Sequence, residues 1–303
     1  MIDYLVGTGG WSYFNVPKKS SLVAYSEVFN FVEVNYTFYN YPSIQTVERW
    51  KRIVPKNFTF SVRCYQDLTH KIGLGPLDEA YEVFYKIKNY AEILQTPYLV
   101  IETPANYSID NSARDFLSTL SLKGIKLVWE YRAPITQEVT NLMRDFNIIH
   151  CVDLSKQKPN YNLDVTYSRL FGKGQHNIYQ FINEELVEIQ HQAEDTNSKQ
   201  VILAYHGARM NSDALRFQQH LRTGNFLPVT SAIGADSAKA VLSEDTKFPN
   251  SKSELIRKQG WKVIDVKRSQ TAHLSEFLSN IPDKNYNNIN EVVKELKTVI
   301  EQR

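Results

Sequence analysis

Short apolar runs alternate with amphipathic segments along most of the chain. Residues 4–8, 31–35, 58–63, 98–102, 126–130, 148–153, 165–170 and 201–205 are each brief and rich in β-branched and aromatic side chains, which predicts eight strands. Helical periods lie between most of them. Segment 43–53 opens on Ser43 as N-cap. Segment 78–94 places Ala80, Val83, Phe84, Ile87, Ala91 and Leu94 on one face. Segment 133–146 carries Pro134 in its first turn, and 183–192 and 212–221 follow the same period. The connection 155–164 contains Pro159 and polar residues and predicts a loop. Parallel strands need crossover connections, so this alternation predicts a parallel sheet. Eight such units before residue 225 fit a (β/α)8 TIM barrel; a doubly wound open sheet more often stops at about five or six strands.

The pattern changes near Asn225. Residues 225–228 and 230–234 read as a linker, followed by short helices at 252–258, 272–279 and 290–301, with no strand series. The last helix gathers Ile289, Val292, Val293, Leu296, Val299 and Ile300 on one face, with Asp283 and Asn290 as cap candidates. The expected organisation is an α/β barrel domain at 1–228 and a small helical module at 229–303.

Of 303 residues, 42% are hydrophobic and 22% charged, which excludes a disordered or collagen-like chain. With 35 basic and 33 acidic residues the net charge is +2, so nucleic acid has no overall electrostatic footprint here, although a local basic patch is compatible with it. Two cysteines, Cys64 and Cys151, make no disulfide framework and suit a reducing compartment. The first residues lack a basic n-region and a long apolar core, and no apolar stretch is long enough to span a bilayer. A cytoplasmic protein with no membrane partner is expected.

Several motifs in order resemble one family. They are Gly7-Thr8-Gly9-Gly10-Trp11-Ser12-Tyr13; Val32-Glu33-Val34-Asn35-Tyr36-Thr37-Phe38-Tyr39 with Pro42-Ser43 and Thr46 to Trp50; and Phe58 to Arg63 with Leu68-Thr69-His70. Trp129-Glu130-Tyr131-Arg132, Asp153 with Ser155, and Tyr167-Ser168-Arg169-Leu170-Phe171-Gly172 continue the series. Over roughly the first 225 residues the chain resembles domain-of-unknown-function family 72, the YecE-like TIM-barrel family. The resemblance implies a TIM barrel and no particular reaction. The chain departs from the family pattern at Ala133 and Phe171, where His is usual, at Arg63 for a common Lys, at Glu102 for a common Gln, and at His206 for a frequent Asn. The stretches 248–256 and 281–286 also resemble domain-of-unknown-function family 2795, a small helical family that carries no chemistry.

In a TIM barrel, reactive side chains project from the C-terminal strand ends into one mouth. Those ends carry Trp11, Glu33 and Asn35, Arg63, Glu102, Glu130 and Arg132, Asp153, Arg169 and His206. Parallel strands are usually continuous apolar runs, so charge at nearly every end needs a reason. One reading is a pocket for a small anionic molecule. Arg63, Arg132 and Arg169 would hold a carboxylate or phosphate, and Glu130, Glu33, Asp153 and His206 would supply acid–base chemistry. Asn35, His70, Trp11, Tyr36 and Tyr39 would line it, the aromatics stacking on a ring, with Gly172 and Gly174 approaching an anion by their backbone. The bland reading is an ion-pair network plugging the barrel end. Two functional alternatives are a metal-assisted phosphoesterase or nuclease-like barrel, and a non-catalytic module that binds a protein partner through its C-terminal helices. Glu33, Glu130, Asp153 and His206 could together hold a divalent ion, but no metal-ligand spacing signature is present, so no metal ligand is assigned and the cofactor is unknown. His150 is expected to face the helices, and both cysteines to be small buried residues.

Overall fold

The computed structural model describes residues 2–175 and 177–302. Eight parallel strands form its sheet: β1 (Asp3–Thr8), β2 (Phe31–Val34), β3 (Thr59–Arg63), β4 (Tyr98–Thr103), β5 (Lys126–Tyr131), β6 (Ile149–His150), β7 (Val165–Leu170) and β8 (Gln200–Tyr205). Their order is β6-β5-β4-β3-β2-β1-β8-β7. A single parallel bridge, Val152 to Ser168, brings the two outer strands together. The result is a nearly closed (β/α)8 TIM barrel. The sixth strand is shorter than the 148–153 expected: only Ile149 and His150 pair with β5, and the chain then turns to meet β7 through Val152.

The helices are α1 (Ser21–Ser26), α2 (Tyr36–Tyr39), α3 (Ile44–Ile53), α4 (Asp78–Leu94), α5 (Asn111–Thr119), α6 (Gln137–Asp145), α7 (Asn183–Glu194), α8 (Met210–Thr223), α9 (Gly234–Leu242), α10 (Lys252–Gln259), α11 (Ser275–Leu278) and α12 (Ile289–Glu301). A π-helical turn spans Leu68–Ile72. Ser43 caps α3 as expected, accepting the Thr46 N–H at 3.2 Å. Thr136 and Asp110 do the same for α6 and α5. Residues 155–164 form a loop without a helix, as their composition predicts. No helix among the described residues is long and apolar enough to cross a membrane.

The chain divides into two compact units. The first runs to Leu170 and includes Gln192–Tyr205, so it holds all eight barrel strands. Its lumen follows the alternation of side chains along each strand. Leu5, Phe31, Tyr98, Val100, Val128, Ile149, Cys151, Tyr167, Ile202 and Ala204 fill it as one apolar cluster. Each fully buried aromatic or aliphatic side chain there contributes about 1.5–3 kcal/mol. Two residues further along, the same inward faces carry charge, and there the mouth begins.

The second unit comprises Phe171–His191 and the residues from His206 onward. The expected boundary at residue 228 falls inside it. It contains α9 to α12, the helical C-terminal region that was expected. It also contains two antiparallel ribbons that the sequence reading did not foresee. One pairs β10 (Val263–Lys267) with β11 (Gln270–His273), the other β9 (Asn250–Ser251) with β12 (Asn285–Tyr286). Segment 272–279 is therefore strand first and helix only from Ser275. Leu242, Leu255, Ile264, Phe277, Leu278, Tyr286, Val292 and Leu296 form this unit's own core. Asn288, not Asp283 or Asn290, caps α12 by accepting the Glu291 N–H at 3.1 Å.

Candidate active site at the barrel mouth

Six charged side chains from five strands interlock at the C-terminal end of the barrel. Glu33 projects from β2, Arg63 from β3, Glu102 from β4, Glu130 and Arg132 from β5 and its end, and Arg169 from β7. Arg169 is the hub. Its Nε donates to Glu33 at 3.1 Å, and its Nη1 donates to Glu102 at 2.6 Å and also to Glu130. Arg63 donates to Glu102 through Nη2 and to the Asn35 side-chain oxygen Oδ1 through Nη1. Arg132 bonds Glu102 with Nη1 at 3.0 Å and Glu130 with Nε at 2.8 Å. Three carboxylates thus face three guanidiniums, and the network is neutral as a set.

A second layer supports it from below. The Tyr167 hydroxyl donates to Glu33 at 2.8 Å, and Ser61 Oγ lies 2.7 Å from that hydroxyl. Phe38 places its ring 3.8 Å from the Arg63 guanidinium carbon. Thr37 donates to the Arg63 carbonyl at 2.7 Å, tying α2 to the end of β3. These partners hold the charged groups in place from below.

Exposure divides the network. Glu33, Arg63, Glu102 and Arg169 are buried. Glu130 keeps 14% of its side chain exposed and Arg132 keeps 41%. The mouth is therefore sealed over its floor and wet along the edge that follows β5. Burial pushes the Glu130 carboxyl up, but Arg169 and Arg132 outweigh it and hold the group at about 2. Burial and neighbouring Arg169 push Arg63 down, though it stays a cation beside Glu102. For Arg169 burial acts downward, and the three glutamates drive it well above the ordinary value. Glu130 is thus a carboxylate at neutral pH, which fits a hydrogen-bond acceptor.

The remaining candidates divide between this mouth and other roles. Asn35 belongs to the network through Arg63. Trp11 meets Trp50 edge-on with ring centroids 5.1 Å apart, and Tyr36 meets the same indole at 6.4 Å. Gly10, at φ +124°, takes a backbone conformation that turns the chain into Trp11 and that few other residues adopt. Tyr39 and His70 both pack against Phe38, at 5.0 and 5.5 Å, and His70 Nδ1 lies 2.9 Å from Thr69 Oγ1. Asp153 accepts the Ser155 N–H at 3.0 Å and hydroxyl at 2.6 Å and faces Lys156 at 3.4 Å, which builds the turn after β6.

Gly172, Gly174 and His206 belong to the second unit. A Cβ at Gly172 (φ +76°) would run into the Tyr179 ring, and one at Gly174 would run into the Ile178 carbonyl. Lys173 pairs with Glu185 at 3.1 Å. Both glycines pack tightly against the segment that carries Tyr179. His206 is buried and stacks on Phe171 at 4.9 Å. Burial pushes the Cys64 thiol up to about 12 and Cys151 well above its ordinary value, so neither is a nucleophile. His150 is buried, accepts the Asn160 N–H at 3.0 Å, and is driven down to about 4 by burial. Among the described residues no group of three or more His, Cys, Asp and Glu side chains is placed to hold a metal ion.

Sequence reasoning left Glu102 out of the site set, although it bridges all three arginines. Tyr167 was missed too; its place two residues before Arg169 on an inward face was the available signal. Four of the five departures from the family pattern form two contact pairs. Arg63 bonds Glu102, and Phe171 stacks on His206.

A parallel eight-stranded barrel with charged side chains interlocked at its C-terminal end defines a TIM-barrel protein. Residues 5–232 match the model of the family described as "Protein of unknown function DUF72", and the chain belongs to that family. The match does not reach the C-terminal stretch, whose likeness to family 2795 stays a sequence resemblance. The UPF0759 protein YunF of Bacillus subtilis (strain 168) is 35% identical over 99 residues. That alignment covers 31% of this chain and 34% of YunF, so the chain spans about a third of that relative. A DUF72 family protein from Thermotoga maritima MSB8 superposes with a TM-score of 0.59 at 20% identity, over 73% of this chain and 99% of that one. One from Enterococcus faecalis V583 gives 0.54 at 15% identity, over 73% and 98%. These solved structures show the shared fold.

Proposed function

We propose that this protein binds a small anionic molecule, bearing a carboxylate or a phosphate, at the C-terminal mouth of its barrel. The supporting observation is the asymmetry of the ion network. Among its three guanidiniums Arg132 is the one that reaches water, and its Nη2 has no partner among the described residues. A guanidinium with a free edge is a planar donor for an oxyanion. Arg63 and Arg169 stay under the ligand in this reading. They fix Glu102 and Glu130, and these two orient Arg132 from either side. Glu130, ionised throughout the neutral range, accepts a hydrogen bond from a ligand hydroxyl. The two buried thiols suit a reducing, cytoplasmic setting.

Titration calorimetry of the full chain with inorganic phosphate tests this. Saturable binding to the parent protein, weakened by about tenfold or more in Arg132→Met, is the expected result. No binding to the parent, or equal affinity in the variant, contradicts it.

A further inference from the structure

Aromatic side chains cluster on the segments that follow β1 and β2. Trp11 lies in the loop after β1, Tyr36 and Tyr39 in α2 after β2, and Trp50 in α3. Trp50 holds Trp11 and Tyr36 edge-on, so the three rings form one patch. Tyr36 and Tyr39 are 51% and 55% exposed. Singly exposed aromatics need no explanation, but a contiguous cluster fixed by mutual packing at a barrel mouth does.

A continuous line of bonds joins this patch to the anion site. Arg132 bonds Glu102, Glu102 bonds Arg63, and Arg63 bonds Asn35, which immediately precedes Tyr36. The line crosses the neighbouring strands β5, β4, β3 and β2. Half-buried polar groups flank it. The Asn35 amide nitrogen has no partner among the described residues, and Glu130 presents a carboxylate to the wet edge. A free donor beside an acceptor suits hydroxyl groups, which both donate and accept. Aromatic rings suit the apolar face of a sugar ring.

Resting on the anion-binding reading above, we infer that the ligand is a sugar phosphate or a sugar acid. Its acidic group lies at Arg132, and its ring lies on the platform of Trp11, Tyr36 and Trp50. The indoles make binding visible as a change in tryptophan emission.

The test titrates the full chain with inorganic phosphate, glucose 6-phosphate, glucuronate and adenosine monophosphate, by calorimetry and tryptophan fluorescence. Glucose 6-phosphate or glucuronate should bind at least about tenfold tighter than inorganic phosphate and shift the emission. Which of the two leads tells phosphate from carboxylate. Tyr36→Ala, an exposed position, should bring the sugar ligand down to the affinity of inorganic phosphate and leave phosphate itself unchanged. Phosphate binding with no gain from the sugar overturns the ring and leaves the anion reading standing. So does a gain that Tyr36→Ala leaves intact, or tighter binding of adenosine monophosphate than of either sugar ligand. Sugar binding that Arg132→Met leaves intact overturns both.

Discussion

Glu130 and Arg132 reach solvent, whereas Asp213 and Arg216, a fully buried pair of opposite charges, are tied to the Phe181 backbone and the Asn183 side chain. In the second unit, Arg216 Nη1 donates to the Phe181 carbonyl at 2.6 Å and to Asp213 at 3.0 Å, and Nη2 donates to Asn183 at 2.6 Å. Asp213 accepts the Phe181 N–H at 3.2 Å. That cluster pins the segment leading into α7, and every bond in it has a structural use. In the barrel, the charged groups turn mainly to one another, and the Arg132 guanidinium keeps an edge toward solvent. Burial pushes Asp213 up to about 7 against the pull of Arg216, while Glu130, with two arginines beside it, sits at about 2. Charge burial alone therefore does not mark a site. The proposed site differs in being an ion network supported from below and open on one side.

Removing the barrel hub should show the largest effect. Arg169→Met leaves three carboxylates with two cations in a buried setting, and a loss of about 3–5 kcal/mol in urea denaturation is expected. A loss under about 1 kcal/mol would mean the network relaxes freely and is not rigid. Acid comes next. Because Glu130 is lowered from 4.5 to about 2, it contributes stability that is present above pH 4.5 and lost as pH falls toward 2. Asp213 has the opposite sign: raised from 3.8 to about 7, its bound proton contributes stability below about pH 3.8 that is lost as pH rises through 7. Urea midpoints measured from pH 2 to 8 should lose their acid limb in Glu130→Gln and their neutral limb in Asp213→Asn. An unchanged profile in both variants would refute the contrast.

Arg216→Met should cost less than Arg169→Met, about 1–3 kcal/mol. Asp213 can take a proton, and the main penalty is the unpaired Phe181 carbonyl. Equal losses in the two variants would erase the distinction drawn between the clusters. Smallest of all, Arg132→Met should change stability by no more than about 1 kcal/mol, because the pair is partly solvated. A larger loss would make Arg132 part of the scaffold.

The barrel was legible because parallel strands buried on both faces write themselves as apolar runs; β7 (Val165–Leu170) coincides with its sequence boundaries. The site was legible for the same reason in reverse, since charge at a strand end breaks the run. What stayed hidden depends on tertiary partners. Strand β10 was obscured by Asp265, whose carboxylate sits inside an apolar run to accept the Val229 and Thr230 N–H groups at 3.1 and 2.7 Å. Helix α9 begins on Gly234 behind a stretch that reads as linker. The sealing of Glu33 and Arg63 against the openness of Arg132 is a matter of rotamers, which spacing along a chain does not encode.

Arginine modification with phenylglyoxal, read residue by residue by mass spectrometry with and without inorganic phosphate, addresses the open edge of the mouth most directly. Arg132 should react and be protected by phosphate, while Arg63 and Arg169 stay unmodified in the folded chain. An Arg132 as inert as Arg169, or one that phosphate leaves unprotected, would contradict the assignment of this edge as the ligand's entrance.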